Sequence, residues 1–245
     1  MPEETSVIEI ADLSFTWKRQ AKPVLNIASL QVNRGERVFL RGPSGSGKST
    51  LLNLLAGVAT PQSGVLKVLG QDMNALGSAQ RDHFRAHHIG FIFQMFNLIP
   101  YLSVVENVTL PCRFSDKRKH KVLAQAESLV QEAIRLLDHL DMAHSGILHK
   151  PVNELSVGQQ QRVAAARALI GAPELVIADE PTSSLDADRR TAFIDLLFRE
   201  CDNANATLIF VSHDNSLVAP FERTIEFEQL NNAALADQPK LKAIK

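Results

Sequence analysis

Cysteine is scarce in this chain: only Cys112 and Cys201 occur in 245 residues, far apart and without metal-ligand spacing. That excludes a disulfide-stapled scaffold and is expected of a chain kept in a reducing compartment. An excess of one charge is also missing. Lys+Arg number 26 and Asp+Glu 27, leaving a formal net charge of −1, so nothing in the overall charge calls for nucleic acid as a partner. No stretch reads as a membrane span. The uncharged segment Ile89 to Val105 falls short of the ~20 residues that a spanning helix needs, and Gln94, Asn97 and Pro100 interrupt it. Met-Pro-Glu-Glu-Thr-Ser at the start has neither the basic nor the apolar region of a signal peptide. No repeat and no linker divides the chain, and 45% hydrophobic residues describe an ordinary globular protein.

What is present is a loop. Gly42-Pro-Ser-Gly-Ser-Gly-Lys-Ser-Thr50 fits the phosphate-binding pattern G-x-x-x-x-G-K-[ST]. Its glycines, including Gly45 and Gly47, let successive backbone N–H groups of Ser44 and Ser46 turn inward toward phosphate oxygens. Val38-Phe-Leu40 supplies the short strand before the loop, and Ser49-Thr50 opens a helix whose positive end faces the same anion. In this motif Lys48 reaches the β- and γ-phosphates and the Ser49 hydroxyl ligates Mg²⁺. The chain is therefore expected to bind a nucleoside triphosphate.

Residues 7–33 read as antiparallel strands, with Leu13, Phe15 and Trp17 alternating with Ser14 and Thr16. A short strand is predicted at 64–70, a polar helix over 74–88, and a buried strand from Ile89 to Phe93. The basic run 113–121 reads as a solvated loop or helix start. Val122, Ala126, Leu129, Ala133, Leu136 and Leu140 recur at helical spacing and predict one amphipathic helix. A further helix runs from about Ser156 to Leu169, ended by Gly171 and Pro173. Leu175-Val-Ile-Ala178 and Leu208-Ile-Phe-Val211 read as central parallel strands, with a helix over 187–200 between them. A late strand is predicted over 224–228, and a polar, mobile tail from Asn231 onward.

Asp179 and Glu180 close the first of those central strands, the edge where open α/β sheets bind ligands. Asp179 is expected to hold Mg²⁺ through water, and Glu180 to orient and polarise the attacking water. Ser212-His-Asp214 cannot form a hydrolase triad, because three consecutive side chains cannot converge on one proton path. His213 ends the neighbouring strand and is expected to contact the γ-phosphate. Leu155-Ser-Val-Gly-Gln159 is a capping box, in which Ser156 caps a helix and Gln159 reaches back. That helix start offers a second anion site, and an ordinary helix start satisfies the same pattern.

Taken together and in this order, these motifs resemble the ATP-binding subunits of ABC transporters, over roughly Val7 to Glu228. Gln94 matches the Q-loop, Leu155–Gln159 the signature Leu-Ser-Gly-Gly-Gln, and Asp179–Glu180 the Walker B pair. Ser184-Leu-Asp186 matches the D-loop, His213 the switch histidine, and Trp17 the aromatic residue that stacks on adenine. The segment Phe93 to Pro111, with Ala178-Asp-Glu-Pro-Thr182, resembles the branch of lipoprotein-releasing, macrolide-exporting and cell-division ATPases. Three residues depart from the pattern: Val157 in place of the first signature glycine, His139 where glycine is frequent, and Thr182-Ser-Ser before Leu185.

The resemblance implies an α/β fold: a RecA-like P-loop NTPase core with an N-terminal antiparallel β subdomain and an inserted α-helical subdomain. As one domain over 1–245, it divides into a core (1–94 and 161–230), helices (95–160) and a tail (231–245). It implies ATP and Mg²⁺ as cofactors, with Glu180, His213 and Gln94 catalytic and the metal shared by Ser49, Gln94 and Asp179. ATP contacts fall to Trp17, to Gly42, Ser44, Gly45, Ser46, Gly47, Lys48, Ser49 and Thr50, and to Ser156, Gly158, Gln159 and Asp186. It also implies a head-to-tail homodimer sandwiching two ATP molecules, seated on a membrane permease at the cytoplasmic side of the inner membrane. Phe96, Leu98, Ile99 and Tyr101, beside Gln94, are the expected docking cluster. Two other classes are weighed. A nucleotide kinase shares the loop but not the signature stretch. A regulator acting through a non-transporting membrane partner shares every motif and stays open.

Overall fold

Apolar runs predicted as central strands lie side by side, buried on both faces. In the computed structural model, which describes residues 6–142, 146–183, 185 and 187–233 (side chains of 187–189 excepted), the chain begins with β1 (Ser6–Phe15), β2 (Leu25–Asn33), β3 (Arg37–Arg41) and α1 (Lys48–Leu55). It continues through β4 (Ser63–Val68), β5 (Gln71–Asp72), α2 (Ser78–His88) and β6 (Ile89–Ile92). Helices α3 (Val104–Thr109), α4 (Pro111–Phe114), α5 (Asp116–Leu123), α6 (Leu129–His139) and α7 (Val157–Leu169) follow. Then come β7 (Leu175–Asp179), α8 (Ala187–Asn203), β8 (Thr207–Val211), β9 (Arg223–Glu226) and α9 (Phe227–Leu230).

Among the described residues the strands form two sheets, an antiparallel one ordered β2-β1-β4-β5 and a parallel one ordered β6-β7-β8-β3-β9. Side chains alternate faces along each strand, which sorts the parallel sheet into two cores. Phe39, Val176, Ala178, Leu208 and Phe210 pack with α3, α6, α7 and α8. Val38, Leu40, Leu175, Ile177, Ile209 and Val211 pack with α1 and the antiparallel sheet. With both faces covered, no polar alternation survives in β7 and β8, and each fully buried aliphatic side chain contributes roughly 1.5–3 kcal/mol.

Several elements differ from the sequence reading. The helix expected over 122–140 is two helices: α5 ends at Leu123 with Ala124 as its C-cap, and Ser128 caps α6 by accepting from the Gln131 N–H. The apolar spacing runs on across the break because both helices face the same core. The basic run leads into α5 with Arg113, Lys119 and His120 exposed, as expected of a solvated helix start, but one of its cations is buried. Arg118 is only 2% exposed, and its Nη1 donates to the carbonyls of Ala168 and Ile170 at the end of α7. Burial pulls its pKa down to about 10. The late strand stops at Glu226, and Phe227 turns inward as the first residue of α9, fully buried. Asn231, expected in a mobile tail, is buried and hydrogen-bonded, while the rest of that tail beyond 233 lies outside the described residues. In the expected docking cluster Phe96 is 9% exposed and Leu98 packs on the core, so both are structural. Tyr101 is 80% exposed and Met95 81%. Cys112 and Cys201 are both buried free thiols, pushed up to about 11 and about 12 by burial, and act as apolar packing.

One carboxylate ties the helices to the parallel sheet. Glu174, just before β7, accepts from Lys117 Nζ at 2.6 Å and Lys121 Nζ at 3.2 Å, both on α5, and contacts His88 Nδ1 of α2 at 3.2 Å. Burial opposes its charge, but the hydrogen bonds from His88 and Lys117 and the charge of Lys121 win, holding the carboxyl well below the usual range. A depressed carboxylate stabilises the fold above its unfolded pKa, about 4.3, and that stabilisation is lost as pH falls through the folded value. Glu174→Gln is expected to lower stability at pH 7 by about 1–3 kcal/mol. The gap to wild type should narrow progressively below pH ~4, as followed by denaturant unfolding at several pH values.

Candidate functional site

Because β3, β6, β7 and β8 run parallel, their C-terminal ends emerge at one edge of the sheet. From β3 comes the 42–50 loop, from β6 Gln94, from β7 Asp179 and Glu180, and from β8 His213. Ser44, Gly45, Gly47, Lys48, Ser49, Thr50, Gln94, Asp179, Glu180, His213 and Trp17 line one cleft of about 680 Å³. Trp17 is 39% exposed and packs perpendicular to Phe15, with ring centroids 4.8 Å apart, so the indole stands partly open at the cleft.

The loop conformation depends on glycine at two positions. Gly45 has φ +78° and Gly47 φ +109°, both in the region that side chains disfavour. At Gly47 a Cβ would also lie 3.0 Å from Leu25 Cδ2 and 3.2 Å from the Val24 carbonyl. Lys48 Nζ donates to the carbonyls of Gly42 at 2.7 Å and Pro43 at 2.8 Å. Burial lowers the Lys48 pKa against the attraction of Glu180 and Asp179. Ser46 Oγ is buried with no hydrogen-bond partner among the described residues, and Ser46 is not among the residues that line the cleft. Asn231 clips the loop from behind, its Nδ2 donating to the carbonyls of Val24 at 2.9 Å and Ser46 at 3.2 Å. Sequence reasoning missed it, because an Asn in a polar tail gives no signal until its partners are known.

On the opposite wall, Ser49 Oγ and Asp179 Oδ2 stand 3.3 Å apart. Burial pushes the Asp179 carboxyl above its usual range, with the Ser49 hydrogen bond pulling the other way. A hydroxyl and a carboxylate, with the Gln94 amide on the same cleft, are the hard oxygen donors that suit Mg²⁺. Glu180 sits at φ +49°, a left-handed backbone that costs a non-glycine residue about 1–2 kcal/mol. Its N–H donates to the Val211 carbonyl at 2.9 Å, and its Oε1 meets His213 Nδ1 at 2.9 Å. A carboxylate held in strained backbone beside an exposed imidazole is equipped to accept a proton from water.

Ser156, Gly158 and Gln159 do not line that cleft; they open α7. The capping box forms: Ser156 Oγ accepts from the Gln159 N–H at 3.4 Å, and Gln159 Oε1 accepts from the Ser156 N–H at 2.9 Å. Val157 is the first helical residue and 52% exposed. Among the described residues a Cβ at Gly158 would meet only Leu185 Cδ2, at an ordinary 3.7 Å. Asp186 lies outside the described residues. At its other end α7 reaches the loop after Gln94. Arg167 donates Nη1 to the Asn97 carbonyl at 2.6 Å and Nη2 to the Phe96 carbonyl at 2.5 Å, two consecutive residues with positive φ.

Comparison with known proteins agrees with this geometry. The family model for ABC transporters matches residues 25–183. The chain is 41% identical over 202 residues, 82% of its length, to the lipoprotein-releasing system ATP-binding protein LolD of Psychrobacter arcticus, covering 86% of that protein. It is 40% identical over the same share of its length to the probable syringafactin export ATP-binding/permease protein SyfD of Pseudomonas syringae, of which it spans 29%. Among solved structures, the ATP-binding cassette MJ0796, in a dimeric post-hydrolysis state bound to ADP and Pi, matches with a TM-score of 0.78 at 31% identity. That match covers 92% of this chain and 95% of the other. The chain belongs to the ABC transporter family, as one of its ATP-binding, ATP-hydrolysing cassettes.

Proposed function

We propose that this cassette powers a membrane permease of the lipoprotein-releasing or export type, as a head-to-tail homodimer peripheral to the inner membrane. The single observation that carries the reading is the separation described above. Trp17, Ser44, Gly45, Gly47, Lys48, Ser49 and Thr50 share one cleft, whereas Ser156, Gly158 and Gln159 open a helix away from it and would fit a partner's nucleotide. The layout of one domain, with a core over 1–94 and 161–230 and helices over 95–160, belongs to the same proposal.

In this mechanism the loop N–H groups and Lys48 bind the β- and γ-phosphates, and Trp17 offers its indole to adenine. Ser49, Asp179 and Gln94 would hold Mg²⁺, which would neutralise phosphate charge when bound. Glu180 takes the proton of the attacking water, and His213 fixes the carboxylate and reaches the γ-phosphate. Among the described residues no helix is long and apolar enough to cross a membrane, and we place the permease against the surface beside Gln94. Its docking surface is the exposed Met95, Tyr101, Phe93 and Phe114, with the 410 Å³ groove between α2, α4 and α7 beside them, lined by Arg85, Phe91 and Arg167.

Glu180→Gln should keep ATP affinity, lose turnover by about 10²–10³-fold, and accumulate an ATP-bound dimer on size exclusion. Near-normal turnover would remove Glu180 from its role.

Val157→Gly should change turnover by less than about tenfold, because a first-turn helical residue needs no glycine. Among the described residues nothing excludes a side chain at Gly158. Gly158→Asp should therefore fold and bind nucleotide as a monomer yet hydrolyse almost none, and retained turnover would count against a phosphate at that helix start.

Met95→Asp and Tyr101→Asp should abolish co-purification with the permease while sparing basal ATPase and thermal stability. Phe96→Asp, in contrast, should unfold the subunit, since Phe96 is core. Intact complexes with Met95→Asp and Tyr101→Asp would move the docking surface elsewhere.

A further inference from the structure

The turn after Glu180 and the loop after β8 are joined by a residue that no motif covers. Arg190, on the first turn of α8, donates Nε to the Leu185 carbonyl at 2.9 Å, and its Nη1 pairs with Asp214 Oδ2. Neither end of that bridge is loose. Leu185 N–H donates to the Thr182 carbonyl at 3.1 Å, and Ser183 N–H to the Glu180 carbonyl at 3.3 Å, so the turn is hydrogen-bonded back to Glu180. Asp214 Oδ1 accepts from the Ser216 N–H at 3.0 Å and from its hydroxyl at 2.7 Å, while the Asp214 N–H donates to Ser212 Oγ at 3.1 Å. His213, covalently next to Asp214, meets Glu180 Oε1 at 2.9 Å. The contacts close a ring: Glu180, the turn to Leu185, Arg190, Asp214, His213, and Glu180 again.

An isolated ion pair this exposed contributes little to stability, with Arg190 and Asp214 each 28% exposed. Its geometry carries more than its energy. A planar guanidinium presents a fixed fork, and here the two prongs grip two different loops, one leaving each of the strands that carry Glu180 and His213. We propose that Arg190 is a positioning residue for ATP hydrolysis: it closes this ring and so keeps His213 within reach of Glu180. Leu185, one of its two anchors, also packs beside Gly158, so the ring abuts the helix start assigned above to the partner's nucleotide. The inference rests on the proposed roles of Glu180 and His213.

Steady-state ATPase kinetics, with Glu180→Gln measured in parallel, test it. Arg190→Met is expected to lower kcat about tenfold, with the KM for ATP and the melting temperature unchanged. Asp214→Asn should do the same, and the double variant should be no worse than either single one, because both open the same ring. Arg190→Lys should recover part of the loss, since it keeps the charge but cannot hold Leu185 and Asp214 together. If Arg190→Met fails to fold, Arg190→Lys carries the test alone, with a kcat between wild type and Asp214→Asn expected. Normal kcat in the Arg190 variants beside an inert Glu180→Gln overturns the inference and leaves the site reading standing. So does a kcat that falls only together with ATP affinity and stability. Near-normal turnover in Glu180→Gln overturns both.

Discussion

Parallel hydrogen bonding is the constraint from which the rest of this molecule follows. Leu40 and Asp179 both pair with Val211, and Ala178 pairs with Ile92. Those registers set the ends of four strands level with one another. Each strand then releases its chain at the same edge, and the residues that need to meet are those immediately past the last pair. A sheet with one of these strands reversed would put its loop on the far side of the core. Burial of both sheet faces secures the arrangement, because a one-residue slip would exchange the two apolar sets between cores of different shape.

The cleft is built from groups that the fold holds against their own preferences. Lys48 and Asp179 are both partly desolvated and both shifted toward their neutral forms. Glu180, Phe96 and Asn97 have left-handed backbones, and Ser46 Oγ is unsatisfied among the described residues. Each is a small local cost, and Lys48, Asp179 and Glu180 line the cleft itself, where a charged ligand would offset theirs. Two side chains far apart in sequence stabilise this strained edge from outside. Asn231 holds the loop between β3 and α1, and Arg167 holds the segment after β6.

Much of this was legible in the sequence, and the physical reasons differ by element. The 42–50 loop was legible because its backbone tolerates few residue types. Strands β7 and β8 were legible because two-sided burial removes polar residues from the run. Ser156 was legible as a cap because the box is local, closed within four positions. Elsewhere the pattern was ambiguous. The spacing from Val122 to Leu140 does not register that a helix stops and restarts when both pieces face one core. Lys117, Arg118 and Lys121 look solvated until the fold brings Glu174 and the end of α7 to them. Phe96 and Tyr101 are both aromatic on one segment, yet Phe96 is buried and Tyr101 is left to solvent. Arg190, Arg167 and Asn231 were invisible for a common reason: their partners are backbone carbonyls or distant carboxylates, which leave no trace in residue spacing.

Helix α7 has one further consequence. Its 13 residues make a hydrogen-bonded strut about 20 Å long, with Ser156 and Gly158 at one end and the Arg167 fork at the other. The fork fixes the strut to Phe96 and Asn97, directly between the exposed Met95 and Tyr101. Such a connection has no preferred direction. If nucleotide at the helix start changes the affinity of the 95–101 surface for a membrane partner, that partner changes the affinity for nucleotide by the same factor. The cassette would then report cargo inward as faithfully as it transmits force outward, and the resting occupancy of its nucleotide sites would be set by the state of the permease above it.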